Sequence, residues 1–264
     1  MLRQIGWAAS AALIGFLAVR SGAAAGKDDF WKASGSQGAV VAGSQEAADA
    51  AIRILHRGNA VDAAVAALLV LSVTDSRNFC FGGEVPILVY DAKRNVVEVI
   101  SGQGAAPRLA TVEYFEKHKG GRIPGSNDLT TAAVPSALDA CLTALDRYGT
   151  LSFTETVQPA LTILERHESG WRADLAKTIR RLVEAEGASR GDRRRGLRLV
   201  PDCFYRGPIA RQIDAWSRQQ GGLLRYTDLA THATRIEEPV AVEYRGCRVV
   251  KCGAWTQGPY LLQT

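Results

Sequence analysis

The sequence predicts an α/β-type layered domain of the α+β kind. Helix-period and strand-period segments follow one another in mixed order, and no repeat, low-complexity tract or interdomain linker divides them. Of the 264 residues, 47% are hydrophobic, enough for one sizeable core or two small ones. The 22% charged fraction and 26 glycines fit a globular chain better than a disordered or fibrous one.

The N-terminus reads first as a targeting segment. Residues 1–3 form a short positive region, residues 5–19 are apolar, and Ala23-Ala24-Ala25 supplies small residues where a signal peptidase reads. This predicts a signal peptide over residues 1–25, cleavage after Ala25, and export to the periplasm. The apolar stretch is shorter than the ~20 residues of a spanning helix, and Arg20 interrupts it, so an uncleaved anchor is the lesser alternative. Removing Arg3 and Arg20 takes the formal charge from +5 to about +3. That is too weak a charge to point to nucleic acid.

In the mature chain, residues 27–38 read as a polar leader loop and residues 39–42 as a short buried strand. Residues 44–56 have a helical apolar face built from Ala47, Ala48, Ala51, Ile52 and Leu55. Gly58 ends that helix, and Asn59 caps the next with Asp62 at its third position. The apolar run over residues 60–73 contains Asp62 and is too short for a membrane, so it predicts a buried core helix. After the Gly82-Gly83 turn, residues 87–91 and 96–101 alternate as paired strands. Helices are predicted over 135–147, 152–167, 173–186 and 209–219, with Ser152 and Glu155 forming a capping box. A hairpin follows over 240–244 and 247–251, turning at Arg245-Gly246. Residues 259–264 read as the first turn of a further helix, so the chain looks truncated there.

Few residues carry chemistry by spacing alone. The basic stretch 190–198 lacks interleaved aromatics and predicts a solvated loop, with an anion-binding patch as the sharper alternative. Five cysteines cannot all pair within one exported chain, and no CxxC or histidine cluster suggests zinc. Cys247 and Cys252 lie along one extended segment, about 16 Å apart, beyond disulfide reach. The five are read as buried or idle thiols. There is no GxSxG elbow, HExxH or Walker loop, and Gly102-Gln103-Gly104 lacks the third glycine of a dinucleotide fingerprint. Glu184/Glu186 and Glu237/Glu238 read as exposed pairs without an acid/base partner.

Several segments, in order, resemble the large subunit of γ-glutamyltranspeptidases. Arg57-Gly58-Asn59-Ala60-Val61-Asp62-Ala63-Ala64-Val65-Ala66 is similar to that family's GGNAVDAAVA. Phe81-Gly82-Gly83 with Ile87-Leu88-Val89-Tyr90-Asp91 resembles its glycine turn and strand. Arg147-Tyr148-Gly149, Phe204-Tyr205-Arg206-Gly207, Gly221-Gly222-Leu223-Leu224 and Tyr244-Arg245-Gly246 match RYG, FYxG, GGLL and YRG. The resemblance spans residues 38–264, so residues 26–264 are identified as a large-subunit region ending before the catalytic subunit. It implies part of an N-terminal nucleophile hydrolase αββα sandwich, two sheets between helical layers, incomplete in this chain. It also implies acyl transfer from a γ-glutamyl or related small amide such as glutathione. The attacking residue is a threonine whose own freed α-amino group acts as base.

The departures from that pattern matter as much. Thr130-Thr131 precedes Ala132-Ala133-Val134-Pro135 and so falls within the large-subunit pattern, and Thr264 has no free α-amino group. Neither is the nucleophile, and no catalytic residue is assigned in this chain. Gln103 stands where the family's carboxylate-binding arginine is expected, offering a neutral amide in place of a bidentate guanidinium. The alternative reading of Gln103 is a turn residue between strand and loop. Cys252-Gly253-Ala254-Trp255 replaces the usual proline-serine loop and predicts a tight turn. No metal or organic cofactor is implied. The expected partners are a small amide substrate and a catalytic small subunit supplied in trans, with no nucleic acid, and no membrane after signal cleavage. The competing function is a stand-alone, non-catalytic periplasmic binding or interaction domain derived from that family.

Overall fold

A computed structural model describes residues 32–36, 38–125, 128–166 and 169–264. The predicted signal peptide, residues 1–25, and residue 167 at the end of one predicted helix lie outside them. Among the described residues no helix is long and apolar enough to cross a membrane.

The helical layer begins with α1 (Gln45–Leu55), whose Ser44 cap accepts the Ala47 N–H at 3.2 Å. Helix α2 (Ala60–Thr74) follows three residues after the His56 end of α1 and packs against it. Asn59 Oδ1 accepts the N–H groups of Val61 and Asp62, while Asp62 Oδ2 accepts the Asn59 N–H at 2.9 Å. That is the capping box read from the sequence. Asp62 does more than cap. It is fully buried, and its carboxylate also accepts the Thr150 and Leu151 N–H groups and the Thr150 hydroxyl, 88 or 89 residues away. A Cβ on Gly58 or Gly149 would stand 2.5 or 2.6 Å from the Asp62 carboxylate oxygens, so both positions need glycine for close approach.

Helices α4 (Ala137–Tyr148) and α5 (Phe153–Arg166) pack on α2, and α6 (Trp171–Gly187) and α7 (Arg193–Pro201) close the layer behind them. The first turn of α5 leaves N–H groups without intrahelical partners. Ser152 and Glu155 form the expected capping box there. Glu186, expected to be exposed, is instead buried and accepts the Phe153 and Thr154 N–H groups at 2.8 and 2.7 Å. The stretch 190–198, expected to be a solvated loop, forms most of α7, capped by Asp192. Arg193 turns inward to donate to the Leu145 and Leu151 carbonyls, satisfying the exposed end of α4. Gly196 reads as a breaker, but its missing side chain admits Glu186, whose Cγ would stand 2.8 Å from a Cβ.

Strand β1 (Lys32–Gly35) pairs antiparallel with β2 (Gly38–Val41). The leader-loop expectation is therefore corrected for residues 32–35 and Gly38, while residues 27–31 and 37 lie outside the described residues. Lys-Ala-Ser-Gly carries no apolar alternation, and its strand character comes from its hairpin partner. Strand β2 is not buried along its length either, since Val40 is half-buried while Val41 is 79% exposed. Strands β3 (Ile87–Asp91) and β4 (Val96–Ser101) pair as expected. Strand β5 (Arg235–Glu237) adds itself to β4, giving the order β3-β4-β5. Strands β6 (Val240–Tyr244) and β7 (Cys247–Lys251) form the predicted hairpin. Arg245 and Gly246 turn it at positive φ of 51° and 79°, as a two-residue hairpin requires. Helices α3 (Val112–Lys119), α8 (Pro208–Gln219), α9 (Tyr226–Ala230) and α10 (Gly258–Gln263) complete the described chain.

Glu98 on β4 accepts two bonds from the Arg147 guanidinium on α4, both at 2.7 Å, and this fork ties sheet to helix. The guanidinium holds the Glu98 carboxyl down at about 2. None of the five cysteines is in a disulfide. Cys141 and Cys252 are buried, and burial pushes the Cys141 thiol up to about 12.

Replacing Asp62 leaves the buried Leu151 N–H and the part-buried Asn59 and Thr150 N–H groups without that acceptor. Asp62→Ala is expected to lower the unfolding free energy by about 3–5 kcal/mol. Urea titration of both proteins checks this, and a loss below ~1 kcal/mol would remove Asp62 from that role.

Candidate functional site

The carboxyl end of β4 runs into a segment that glycine alone can supply. A Cβ on Gly102 would lie 1.9 Å from the Val85 carbonyl oxygen, and one on Gly104 would lie 1.7 Å from that of Val134. The backbone therefore threads between two neighbouring strands of chain. Val85 donates to Gly102 O at 2.9 Å, and Val134 donates to Ala105 O at 3.0 Å. Ser136, fully buried, closes the clamp by donating its hydroxyl to Gly102 O at 2.5 Å. The Gly82-Gly83 turn enters the same clamp, since Gly83 O accepts the Ser136 and Ala137 N–H groups. The Gly102-Gln103-Gly104 sequence is thus a packing device.

Held between these fixed points, Gln103 is exposed at the rim of a cavity of about 360 Å³. Ser101, Asp228, His232, Arg235 and Trp255 share its wall. The structure brings these together from three distant stretches. Ser101 and Arg235 are direct cross-strand partners on β4 and β5. Asp228, in the first turn of α9, accepts the Arg108 N–H at 3.1 Å and the Arg225 N–H at 2.9 Å, fixing the chain beyond Gln103. Trp255 donates its indole N–H to Glu237 at 2.8 Å, and Glu237 also pairs with Arg235 at 3.2 Å. The tight turn expected around Cys252-Gly253-Ala254-Trp255 is present, with Thr256 N–H donating to Gly253 O. Gly258 follows it, where a Cβ would meet the Cys252 carbonyl oxygen at 2.1 Å.

Sequence reasoning passed over His232, because four scattered histidines gave no spacing signal. Its side chain is 6% exposed and stacks beside the Tyr205 ring, with centroids 5.2 Å apart. Nε2 stands 3.7 Å from the Asp139 carboxylate, too far for a hydrogen bond, and has no other partner among the described residues. Asp139 is engaged elsewhere, accepting the Thr234 N–H at 2.7 Å. Burial pushes the His232 pKa below the ordinary histidine value, and the Asp139 charge opposes this. Burial thus favours the neutral imidazole at this point of the cavity wall.

The threonines are occupied locally. Thr130 and Thr131 lie in a short 3₁₀ turn, Leu129–Thr131, and donate their hydroxyls to Asp128 at 2.6 and 2.8 Å. Thr264 donates to Leu261 O at the end of α10.

Likeness to solved structures, with TM-scores of 0.73 and 0.67, places this layered arrangement, in which a glycine-clamped loop continues from the central strand β4, with the N-terminal nucleophile hydrolases. The family described as Gamma-glutamyltranspeptidase matches over residues 47–171 and 162–264, and the chain belongs to it. It is 30% identical over 253 residues to the acylase ACY 1 proenzyme of Pseudomonas sp. (strain SE83), covering 83% of this chain and 45% of that protein. It is 27% identical over 242 residues to the glutathione hydrolase proenzyme of Bacillus subtilis (strain 168), covering 81% of this chain and 41% of that protein. The solved structure of gamma-glutamyltranspeptidase from Pseudomonas nitroreducens complexed with L-DON superposes with a TM-score of 0.67 at 25% identity. That superposition covers 85% of this chain and 73% of the other. The chain spans less than half the length of the two proenzymes it matches.

His232 makes a pH-dependent prediction. A histidine held neutral binds its proton less readily folded than unfolded, so its contribution is present above the unfolded value near 6.5 and is lost as pH falls. Thermal melts between about pH 5 and 8 should show stability falling with acidity. His232→Gln should flatten that slope, and a slope unchanged in the variant would count against it.

Proposed function

We propose that residues 26–264 form the large-subunit region of an exported γ-glutamyltransferase- or hydrolase-like amidase. The observation that carries this is the clamped loop at residues 102–104, which presents Gln103 at the mouth of a cavity that Asp228, His232 and Arg235 also line. On this reading the chain supplies the helical layer, part of the sheets and one wall of the substrate pocket. The nucleophilic threonine comes from a catalytic small subunit. Its hydroxyl oxygen attacks the amide carbonyl while its own α-amino group takes the proton, and that proton passes to the nitrogen as the C–N bond breaks and the amine leaves, giving the acyl ester. Water or an acceptor amine then releases the acyl group.

Gln103 bears on the acyl donor. An amide side chain donates a neutral hydrogen bond to a carboxylate where a guanidinium would give two charged ones. Donors whose affinity rests on that carboxylate are therefore expected to fare worse than related small acyl amides. The acylase and glutathione hydrolase names of the two relatives support this range of donors. The apolar residues 5–19 and the Ala23-Ala24-Ala25 site support export with cleavage after Ala25.

Two measurements test the reading. The 264-residue chain alone should release no p-nitroaniline from a γ-glutamyl anilide, and reproducible turnover would refute the assignment of the nucleophile elsewhere. The codons beyond 264, read in all three frames, should encode a Thr-Thr-His segment. In a product carrying that segment, Gln103→Arg should raise kcat/KM for the γ-glutamyl anilide by about tenfold, the scale of one added charge-assisted bond. Absence of the segment in every frame would sink the enzymatic reading.

A further inference from the structure

The polar groups around the Gln103 cavity are of two kinds, and their partners separate them. The charged ones are already answered. Asp228 uses both carboxylate oxygens on the Arg108 and Arg225 N–H groups. Arg235 pairs with Glu237 at 3.2 Å and keeps 74% of its side chain in solvent. The uncharged ones are not answered. Ser101 is only 5% exposed and lines the cavity, yet its hydroxyl has no hydrogen-bond partner among the described residues. The unpartnered side-chain atoms sealed from solvent there are His232 Nε2 and Thr234 Oγ1, so the Ser101 oxygen opens on the cavity. The Gln103 amide, at the rim, is also without a partner among the described residues. Gly102 between them turns its carbonyl to Ser136, which leaves Ser101 and Gln103 facing the cavity together.

Trp255 supplies the remaining character of the wall. The indole N–H is the side chain's one hydrogen-bonding group, and Glu237 takes it at 2.8 Å. What Trp255 offers the cavity is therefore ring surface, held in orientation by that bond. Ala105 and Val134 add further apolar wall. Gln103 and Trp255 are also two positions where the chain departs from the family pattern it resembles. The departures meet on one cavity, one removing a charge and the other adding an aromatic ring. A charged ligand group entering here meets no unpaired opposite charge and loses its water at a cost. A flat neutral ring buries apolar surface against the indole instead.

We propose that this cavity selects a neutral aromatic acyl group, its ring lying on Trp255 and a ring hydroxyl exchanging a hydrogen bond with Ser101. Ser101 and Trp255 are on this reading the residues that determine the acyl donor. A serine hydroxyl both donates and accepts, which matches a phenolic hydroxyl in either direction. An aliphatic or unsubstituted acyl group leaves the buried Ser101 oxygen dry and unpaired, so the site discriminates against it. The inference rests on the function proposed above for the reaction that follows binding. Binding itself needs only residues of this chain.

The probes are para-hydroxyphenylacetamide, phenylacetamide and L-glutamine, each titrated into the purified, isotope-labelled chain. NMR follows the Trp255 indole N–H signal, which Trp255→Phe assigns by its disappearance. The hydroxylated amide is expected to shift that signal saturably and to bind about fivefold more tightly than phenylacetamide, the scale of one hydrogen bond. L-Glutamine, charged at both ends of its backbone, should leave the signal in place. Ser101→Ala should abolish the fivefold preference and leave phenylacetamide binding unchanged. The ranking of the three probes is read on the unaltered chain, so it stands whether or not a variant folds. No saturable shift with either aromatic amide, glutamine binding as tightly as the hydroxylated ring, or a preference that survives Ser101→Ala would overturn the proposal. Aromatic binding without turnover in the product carrying the small-subunit segment would fault the proposed function alone. Turnover of the γ-glutamyl anilide without aromatic binding would fault only this inference.

Discussion

One buried carboxylate holds the helical layer in register. Asp62 sits in the first turn of α2 and reaches across to the turn between α4 and α5, accepting from Thr150 and Leu151 as well as from Asn59. A buried anion is costly unless each lone pair is used, and here the partners are backbone N–H groups that would otherwise be orphans. The cost of burying the charge and the cost of starting two helices offset each other. This explains why glycine is required at 58 and 149, since the carboxylate lies within 2.6 Å of where either Cβ would stand. It also explains how residues far apart in sequence come to fix the platform that carries β3 and β4.

The same economy recurs outward from that point. Glu186 caps α5, Arg193 terminates α4, Asp192 starts α7 and Asp228 starts α9 while pinning Arg108. In each case a charged side chain that composition assigns to the surface is used to finish a helix or fix a loop. The site depends on this. Gln103 is exposed and unconstrained by its own contacts, so its position follows from the clamp at Gly102 and Gly104 and from the Asp228 tether.

Much of the frame was legible in the sequence because it rests on local signals. The capping boxes at Asn59 and Ser152, the β3-β4 pair and the Arg245-Gly246 hairpin turn are each specified within a few residues. The misses share a different cause. Strand β5 is three residues without alternation and exists because β4 offers it an edge more than 130 positions earlier. Helix α3 buries none of its residues and has no apolar stripe to read. The stretch around Arg193 looked solvated because charge was counted without its acceptors, the Leu145 and Leu151 carbonyls. The wall formed by His232 and Arg235 is assembled by tertiary structure and left no spacing to find. Gln103 was found through family resemblance, and its exposure and neighbours came only with the fold.

The unequal burial of the cysteines has a practical side. Cys80 and Cys247 are exposed, whereas Cys141 is buried in α4 with its thiol pushed up to about 12. Thiolate, not thiol, attacks alkylating reagents, so Cys80 and Cys247 are open to them in the folded chain while Cys141 stays chemically silent. Opening of the helical layer restores ordinary acidity and access together. The rate at which Cys141 is labelled therefore reports, without any added probe, how often the core comes apart.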